Sequence, residues 1–285
     1  MLKRTLILGS ALMATAYAAP AMAGQPTLTL KNYVGKITVN TEPGADLEVE
    51  TKKRSGDVDF DTKNGNLVID GNIGKPDSKK CKGYYGKVSW SWNDDKENHG
   101  QFGGYKDLDT YPDITISGPE TLVVVIDNAM PFGRTGNLGG ADVKLGACGR
   151  LSLGNINGQA DLRISGSGDL QAGDIGTLLA RVSGSGDFDF GNVGDADIKI
   201  GGSGDVDFEN VNDVSIKISG SGNVEFADAN SANITISGSG NVELEDVATS
   251  LYVKSGGSGD VQAGSVGTEF TFEGGGSSDV SLDNI

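Results

Sequence analysis

ISGSGD, at residues 164–169, opens a series of closely related six-residue segments in the second half of this 285-residue chain. The later members are VSGSGD at 182–187, IGGSGD at 200–205, ISGSGN at 218–223 and 236–241, SGGSGD at 255–260 and GGGSSD at 274–279. The final Asp or Asn recurs every 18 residues through the first five members and every 19 residues thereafter. A period this constant predicts one structural unit that is stacked on itself along the chain.

Each repeat alternates apolar and polar residues with a period of two. In one repeat, Ile216 and Ile218 are separated by Lys217, and the alternation resumes after the glycines with Val224 and Phe226. This pattern is typical of a strand with one buried face. A coil of roughly 18 residues at ~3.3 Å each has a perimeter of about 60 Å, which suits short strands stacked at ~4.8 Å. We therefore predict an all-β fold, a right-handed parallel β-helix (β-solenoid), since parallel crossovers are almost always right-handed.

Three regions are predicted along the chain. Residues 1–23 have the features of a secretory signal peptide, with Lys3 and Arg4 before an apolar run and Ala-Met-Ala before Gly24. Residues 24–141 form an irregular N-terminal part of the solenoid, interrupted by a polar insertion at 71–111, and residues 142–285 form the regular repeat. We expect the mature protein to be exported to the periplasm, the cell surface or the extracellular space.

The insertion is rich in aromatic residues and contains both tryptophans and the single histidine of the chain. The favoured interpretation is a β-hairpin around KVSWSW at 87–92, whose aromatic side chains pack against the flank of the solenoid. The alternative is a protruding binding loop, because aromatic residues on loops favour recognition. The candidate binding residues of that loop are Tyr84, Tyr85, Trp90, Trp92 and Tyr105.

The chain is acidic, with a formal net charge of −16, and the regular repeat carries most of that charge. From residue 142 onwards there are 22 Asp or Glu and 7 Lys or Arg, a net of −15. Such a surface does not attract nucleic acid or anionic lipid, so neither is expected as a partner. The glycines are periodic and alternate with apolar residues, which argues against disorder.

The periodic SGSGD segments resemble those of the auto-transporter adhesin head GIN domain family, as do KITVNTEPGADLEVETK at 36–52 and GNLVID at 65–70. The resemblance covers residues 27–279 and also includes the export signal, whereas the insertion at 71–111 departs from the shorter members. It implies a β-helical exported bacterial protein. It implies no catalytic residues.

The Asp and Asn that close the repeats are weak candidates for a metal site. Stacked carboxylates ~4.8 Å apart repel one another, and a hard cation such as calcium could bridge them. The competing explanation is structural, because Asp and Asn bond local backbone groups in turns without any metal. We favour the structural explanation and predict no cofactor. The weak metal candidates are Asp169, Asp187, Asp205 and Asp260.

A column of cations also recurs with the repeat, at Arg163, Arg181, Lys199 and Lys217. Charges repeated at every coil indicate a structural role, because a catalytic site normally interrupts the repeat. We predict no enzyme and no catalytic residues. The preferred function is a non-enzymatic, adhesin-like protein that binds a surface glycan or a protein partner. The alternatives are a polysaccharide-active β-helix enzyme and a purely structural envelope protein.

Cys81 and Cys148 are the two cysteines of the chain and are predicted to form a disulfide, because an exported protein meets an oxidising environment. This bond would hold the insertion against the solenoid. The C-terminal coil is predicted to be open, which permits a homo-oligomer through its strand edges. Parity within the repeat predicts that Gly220 and Gly222 face the core, so that the opposite wall approaches closely, and that Ser221 faces solvent. The alternative is a bend at the glycines that reverses the parity and places the Ser hydroxyls inside, bonded to one another.

Overall fold

The structure is a computed structural model that describes residues 24–53, 58–72, 82–84, 87–89 and 106–284. Within these residues the chain forms strands and turns, together with a 3-10 turn at Leu108–Thr110. The parallel strands stack into a β-solenoid of about 8 turns, which confirms the predicted all-β fold. The predicted signal peptide lies outside the described residues. No helix in the described part of the chain is long and apolar enough to cross a membrane.

The strands up to residue 145 are β1 (Thr27–Lys31), β2 (Val34–Glu42), β3 (Glu48–Lys53), β4 (Asp59–Lys63), β5 (Asn66–Asp70), β6 (Lys82–Tyr84), β7 (Lys87–Ser89), β8 (Lys106–Asp107), β9 (Asp113–Pro119), β10 (Val123–Thr135) and β11 (Gly140–Leu145). Those of the following coils are β12 (Arg150–Leu153), β13 (Ile156–Ile164), β14 (Asp169–Ala172), β15 (Ile175–Val182), β16 (Phe188–Phe190), β17 (Val193–Ile200), β18 (Val206–Phe208), β19 (Val211–Ile218), β20 (Val224–Ile236), β21 (Val242–Ser255), β22 (Val261–Val266), β23 (Glu269–Gly274) and β24 (Val280–Asn284).

Each regular coil consists of one long and one short strand. β15 is a long strand and pairs in parallel with β13 and β17, whereas the short strand β16 pairs in parallel with β14 and β18. We call the two resulting surfaces the long face and the short face. β20 and β21 contribute to both, with their first residues on the short face and their last on the long face. The GSG segments connect the long face to the short face and form a line that we call the glycine ridge.

The core is a set of apolar columns that run through the stack from coil to coil. One column on the long face continues through eleven strands because every pair of neighbouring strands keeps the same register. Its members are Ile69, Leu30, Ile126, Val143, Leu162, Ala180, Ile198, Ile216, Ile234, Val253 and Phe272. All of them are buried except Phe272 in the last coil, which is 40% exposed. Burial of these columns is the main term that stabilises the stack.

The N-terminal end of the solenoid does not follow chain order. β1 lies between β5 and β10 on the long face, and β2 lies between β9 and β10 on the short face. β5 and β9 therefore form the outermost parallel coil, and the insertion at 71–111 connects them. Two further strands cover this coil in the antiparallel direction, β4 on β5 and β3 on β9. The sequence analysis placed this region in the solenoid but did not predict the antiparallel pairing.

Residues 129–140 look irregular in sequence, yet β10 extends through Thr135 and pairs with β2. The irregular sequence therefore does not prevent a strand at 129–135. The apolar pattern is interrupted because Met130 belongs to a second apolar cluster outside the main core. It packs there with Val34, Leu108, Tyr111 and Ala147. Since Leu108 and Tyr111 end the insertion, this cluster attaches the C-terminal stem of the insertion to the solenoid.

The described part of the insertion is a small antiparallel sheet. β6 pairs with β7 as a hairpin, and β7 pairs with β8. A hairpin is therefore present at the start of KVSWSW, but its predicted packing against the solenoid is not tested. The side chains of the candidate binding residues Tyr84, Tyr85, Trp90, Trp92 and Tyr105 lie outside what the structure describes. Cys148 is 5% exposed and disulfide-bonded. Its predicted partner Cys81 lies outside the described residues, so the pairing stays a prediction.

Candidate functional site

In the glycine ridge the serines face solvent as predicted, but the glycines face the backbone of the preceding coil. Gly222 is buried, whereas Ser219 and Ser221 are exposed. A Cβ on Gly222 would lie 2.0 Å from the carbonyl oxygen of Gly204, one coil earlier. The proposed approach of the opposite wall is therefore wrong, because the nearest atoms belong to the preceding coil. Glycine is needed for close stacking of coil on coil, and the serines form an exposed row of hydroxyl groups.

The Asp or Asn that closes each repeat forms a hydrogen-bonded ladder beside the ridge. The backbone N–H of Asn223 donates to Asp205 Oδ1 at 2.7 Å, and the N–H of Asn241 donates to Asn223 Oδ1 at 2.9 Å. Three further pairs in the column make the same bond, in which the N–H of the first residue donates to Oδ1 of the second: Asp205 to Asp187, Asp260 to Asn241 and Asp279 to Asp260. Asp and Asn both carry the acceptor oxygen, which explains why they interchange.

The weak metal candidates therefore have structural partners. Asp187, Asp205 and Asp260 accept backbone N–H groups, and Asp169 forms an ion pair with Arg150 at 2.7 Å. Across the described ranges, no group of three or more His, Cys, Asp or Glu side chains is arranged to hold a metal ion. The arrangement of these residues favours the turn-forming role over the metal site.

A second ladder of the same kind, which the sequence analysis did not identify, follows the opposite corner. The N–H of Asp174 donates to Asn155 Oδ1 at 3.0 Å, and the N–H of Asn192 donates to Asp174 Oδ1 at 2.9 Å. Asn137 and Asn210 extend this ladder at its two ends. Its 18- or 19-residue spacing in sequence was a sufficient signal. Where both ladders are present, the two corners of a coil are held by side-chain oxygens that accept hydrogen bonds from the next coil.

The short face carries an unbroken column of carboxylates that sequence reasoning also missed. Its members occupy the outward central position of four consecutive short strands and are Asp189, Asp207, Glu225 and Glu243. In the sequence they recur within GD-x-D or GN-x-E, where the carboxylate follows the closing Asp or Asn of the repeat by two residues. Beside this column lies a groove of about 600 Å³, which is also lined by Glu209 and Glu245. Neighbouring coils place these carboxylates ~4.8 Å apart.

This acidic groove has little internal charge compensation. Within the carboxylate column, Asp189 accepts a hydrogen bond from Gln171 at 2.9 Å. None of the ion pairs found among the described residues includes Asp207, Glu225 or Glu243. Partial burial raises the pKa of Asp207, and the charges of Glu225 and of the neighbouring aspartates raise it further. The groove is therefore a site at which a cation would relieve existing repulsion.

The long face carries the predicted column of cations, which extends from Lys144 through Arg163, Arg181, Lys199 and Lys217. Neighbouring carboxylates partly neutralise this column. Arg163 pairs with Asp161, Arg181 also approaches Asp161 at 3.5 Å, and Lys199 pairs with Asp197 at 2.8 Å. We call the five cations of this column the basic column.

The carboxylates beside the basic column are shorter and more enclosed than the cations. The side chain of Asp161 is 19% exposed and that of Arg163 is 37% exposed. Burial raises the pKa of Asp161, and this effect outweighs the opposing influence of Arg163. Asp142 is the register neighbour of Asp161 and raises the pKa further. In these ion pairs the cation is therefore the more exposed partner, although the face as a whole contains both signs.

A parallel solenoid with polar ladders at its corners and separate charged columns on its faces defines the class of protein: a repetitive β-solenoid with extended, regularly repeating faces. The model of the family "putative auto-transporter adhesin, head GIN domain" matches residues 34–246. The chain belongs to this family. The match confirms the resemblance inferred from the SGSGD segments and fits a surface or exported protein.

Among solved structures, the chain matches a putative cell adhesion protein from Clostridium sporogenes with 12% sequence identity. The match covers 92% of this chain and 93% of that chain, with a TM-score of 0.17. At that score it carries no argument about this protein. A comparison with curated proteins finds no match.

Proposed function

We propose that this protein is an exported, non-enzymatic, adhesin-like protein that holds a cationic partner, a surface glycan or a protein, along its acidic groove. Family membership supports the adhesin-like role. The basic, apolar and small-residue segments at 1–23 support export through a cleavable signal peptide.

The observation that carries the proposal is the uncompensated carboxylate column of the short face. Asp207, Glu225 and Glu243 occur in consecutive coils, with no ion pair to any described residue. A single exposed ion pair contributes only about 0.2–1 kcal/mol. Several in register on a rigid surface add up, because only the first contact bears the full cost of bringing the partners together. The solenoid supplies that rigidity through its continuous ladders.

Repetition along the groove supports binding rather than catalysis. General acid–base or nucleophilic chemistry needs unlike groups in defined relative positions, with distinct pKa values. The groove instead offers the same carboxylate in each coil, flanked by Glu209 and Glu245. Such an array suits an extended partner that presents repeated positive charges.

The test is binding of residues 24–285 to immobilised chitosan oligosaccharides and to polylysine, with neutral chitin oligosaccharides and anionic heparin as comparison ligands. We expect binding to the two cationic ligands and none to heparin. The variant Asp207→Asn/Glu225→Gln should bind at least about tenfold more weakly, since it removes two central charges.

The matched control is Glu48→Gln/Glu50→Gln, which removes the same charge from the exposed strand β3. This variant should bind like the wild type. Equal losses of affinity in the two variants would indicate a general charge effect. Unchanged affinity in the Asp207→Asn/Glu225→Gln variant would overturn the assignment of the groove as the binding site.

A further inference from the structure

Three consecutive coils, the first with Arg181 and Asp189, carry an outward cation on the long face and an outward carboxylate on the short face. Lys199 and Asp207 lie on one coil, and Lys217 and Glu225 lie on the next. Because both columns follow the same stack, their charges repeat at the same ~4.8 Å spacing. The charges of the basic column of one molecule can therefore lie opposite those of the acidic column of another over several coils. A shift by one whole coil keeps the remaining charges in register.

The side chains allow the basic column to make this contact. Lys199 is 45% exposed and Arg181 is 37% exposed, even though both have acidic neighbours. Lys217 forms no ion pair with any described residue, since Ser215 takes the position that Asp197 has beside Lys199. Lys and Arg also extend further from the strand than Asp, so an approaching surface meets the cations first.

We propose that the cationic partner of the acidic groove is a second copy of this chain, which docks with its basic column. The inference rests on the proposed function and identifies one partner for the same groove. The contact joins two different faces, so a pair of molecules still has one free acidic groove, on one copy, and one free basic column, on the other. Such heterologous contacts continue from copy to copy and give a lateral array instead of a closed dimer.

The association depends on several weak ion pairs in register and is therefore sensitive to salt. A screening length of about 10 Å at 0.1 M salt falls to roughly 4 Å at 0.5 M, which is shorter than the spacing between coils. An array on an acidic molecule also has to overcome its net charge, so the attraction is local and confined to the two columns.

The experiment is sedimentation equilibrium of residues 24–285 and of two charge-reversal variants. One variant, Lys199→Glu/Lys217→Glu, reverses the centre of the basic column. The other, Asp207→Lys/Glu225→Lys, reverses the centre of the acidic column. The wild type should self-associate at low salt, with an apparent Kd at least about tenfold weaker in 0.5 M NaCl. Each variant alone should remain monomeric over the same concentrations.

The decisive sample is an equimolar mixture of the two variants. Each variant retains the column that the other needs, so the mixture should form mixed complexes although neither component associates alone. A monomeric wild type at roughly 1 mM and low salt, which excludes even millimolar affinity, would overturn the inference, as would a mixture that stays monomeric. Wild type that binds polylysine but never itself would remove only this inference, whereas failure with polylysine would remove the proposed function.

Discussion

The corner between the long and the short face is built in two different ways in the two halves of the molecule. In the N-terminal part, single asparagines make this corner: Asn32, Asn72 and Asn128 have φ angles of 48°, 52° and 52°. Asn128 Nδ2 donates to Asn32 Oδ1 at 2.7 Å, and Asn32 Nδ2 donates to Asp70 Oδ1 at 3.1 Å. In the regular coils, the glycine ridge makes the same corner with more residues.

The difference shows what repetition requires. A tight asparagine corner needs a left-handed backbone, and its side chain then has one particular set of partners. Each residue of the ridge packs against its equivalent in the preceding coil, for example Gly222 against Gly204 and Asn223 against Asp205. Any number of coils can therefore be added. The N-terminal part is therefore specific and irregular, whereas the regular part extends by nearest-neighbour contacts alone.

The largest expected effect lies in the ridge. Gly222→Ala places a Cβ 2.0 Å from the backbone carbonyl of Gly204, a contact that no side-chain movement relieves. We expect a loss of about 1–3 kcal/mol or more in the free energy of unfolding, measured by chemical denaturation. The control is Gly256→Ala, because a Cβ there has no atom within 4 Å. Equal stability of the two variants would refute the stacking role of the ridge.

The predicted Cys81–Cys148 disulfide should have an effect of similar size. It would close a loop of 66 intervening residues around the insertion, and such a bond contributes about 4 kcal/mol in the chain-entropy model, often less in practice. The double variant Cys81→Ser/Cys148→Ser should lower the thermal midpoint, and reduction should have no further effect on it. Two alkylatable thiols in the unreduced, denatured protein would show that the pairing is wrong.

The asparagine corner should be sensitive to side-chain loss but tolerant of glycine. Asn128→Ala removes the hydrogen bond to Asn32 and leaves a non-glycine residue at φ 52°, which costs about 1–3 kcal/mol. Asn128→Gly removes the same hydrogen bond but relieves the backbone strain, so it should lose less stability. Thermal unfolding of the two variants checks this order, and the reverse order would contradict a strained corner.

The Asp ladder predicts a similar contrast in the regular coils. Asn223→Asp keeps the acceptor for the N–H of Asn241, whereas Asn223→Ala leaves that N–H without it. The alanine variant should be less stable by about 0.5–1.5 kcal/mol, the usual contribution of one hydrogen bond. Denaturation at neutral pH separates the two variants, and an aspartate variant as weak as the alanine variant would argue against the ladder.

The smallest effect concerns pH and the acidic column. Because the folded-state pKa of Asp207 is raised, its charge destabilises the folded protein above that pKa, and the effect disappears as the pH falls towards the ordinary value of 3.8. Asp207→Asn should therefore raise the thermal midpoint at pH 7 and lose this advantage near pH 3.8. Glu50→Gln on β3 serves as the control. A stabilisation that persists unchanged at low pH would have a different cause.

The sequence predicted the coils because a solenoid repeats the same local environment. Ile198, Ile216 and Ile234 recur at one spacing, and that spacing alone indicates a stacked column. The closing Asp and Asn were also visible, and their structural role follows from the side-chain oxygen that both residues share. The acidic column was visible as well, in GD-x-D, but alternation made it resemble an ordinary solvent-facing position.

What the sequence by itself determined is the repeating unit: its period, its inward residues, its polar corners and the family to which it belongs. Only the tertiary structure decided the order of the N-terminal strands, with β1 between β5 and β10, since those contacts join residues about 40 to 100 positions apart without any repeat to reveal them. It also showed that the ridge positions require glycine because the backbone of the preceding coil, and not the opposite wall, lies too close for a side chain. Sequence parity states which way a residue faces, but the distance to the next backbone depends on how closely the coils stack.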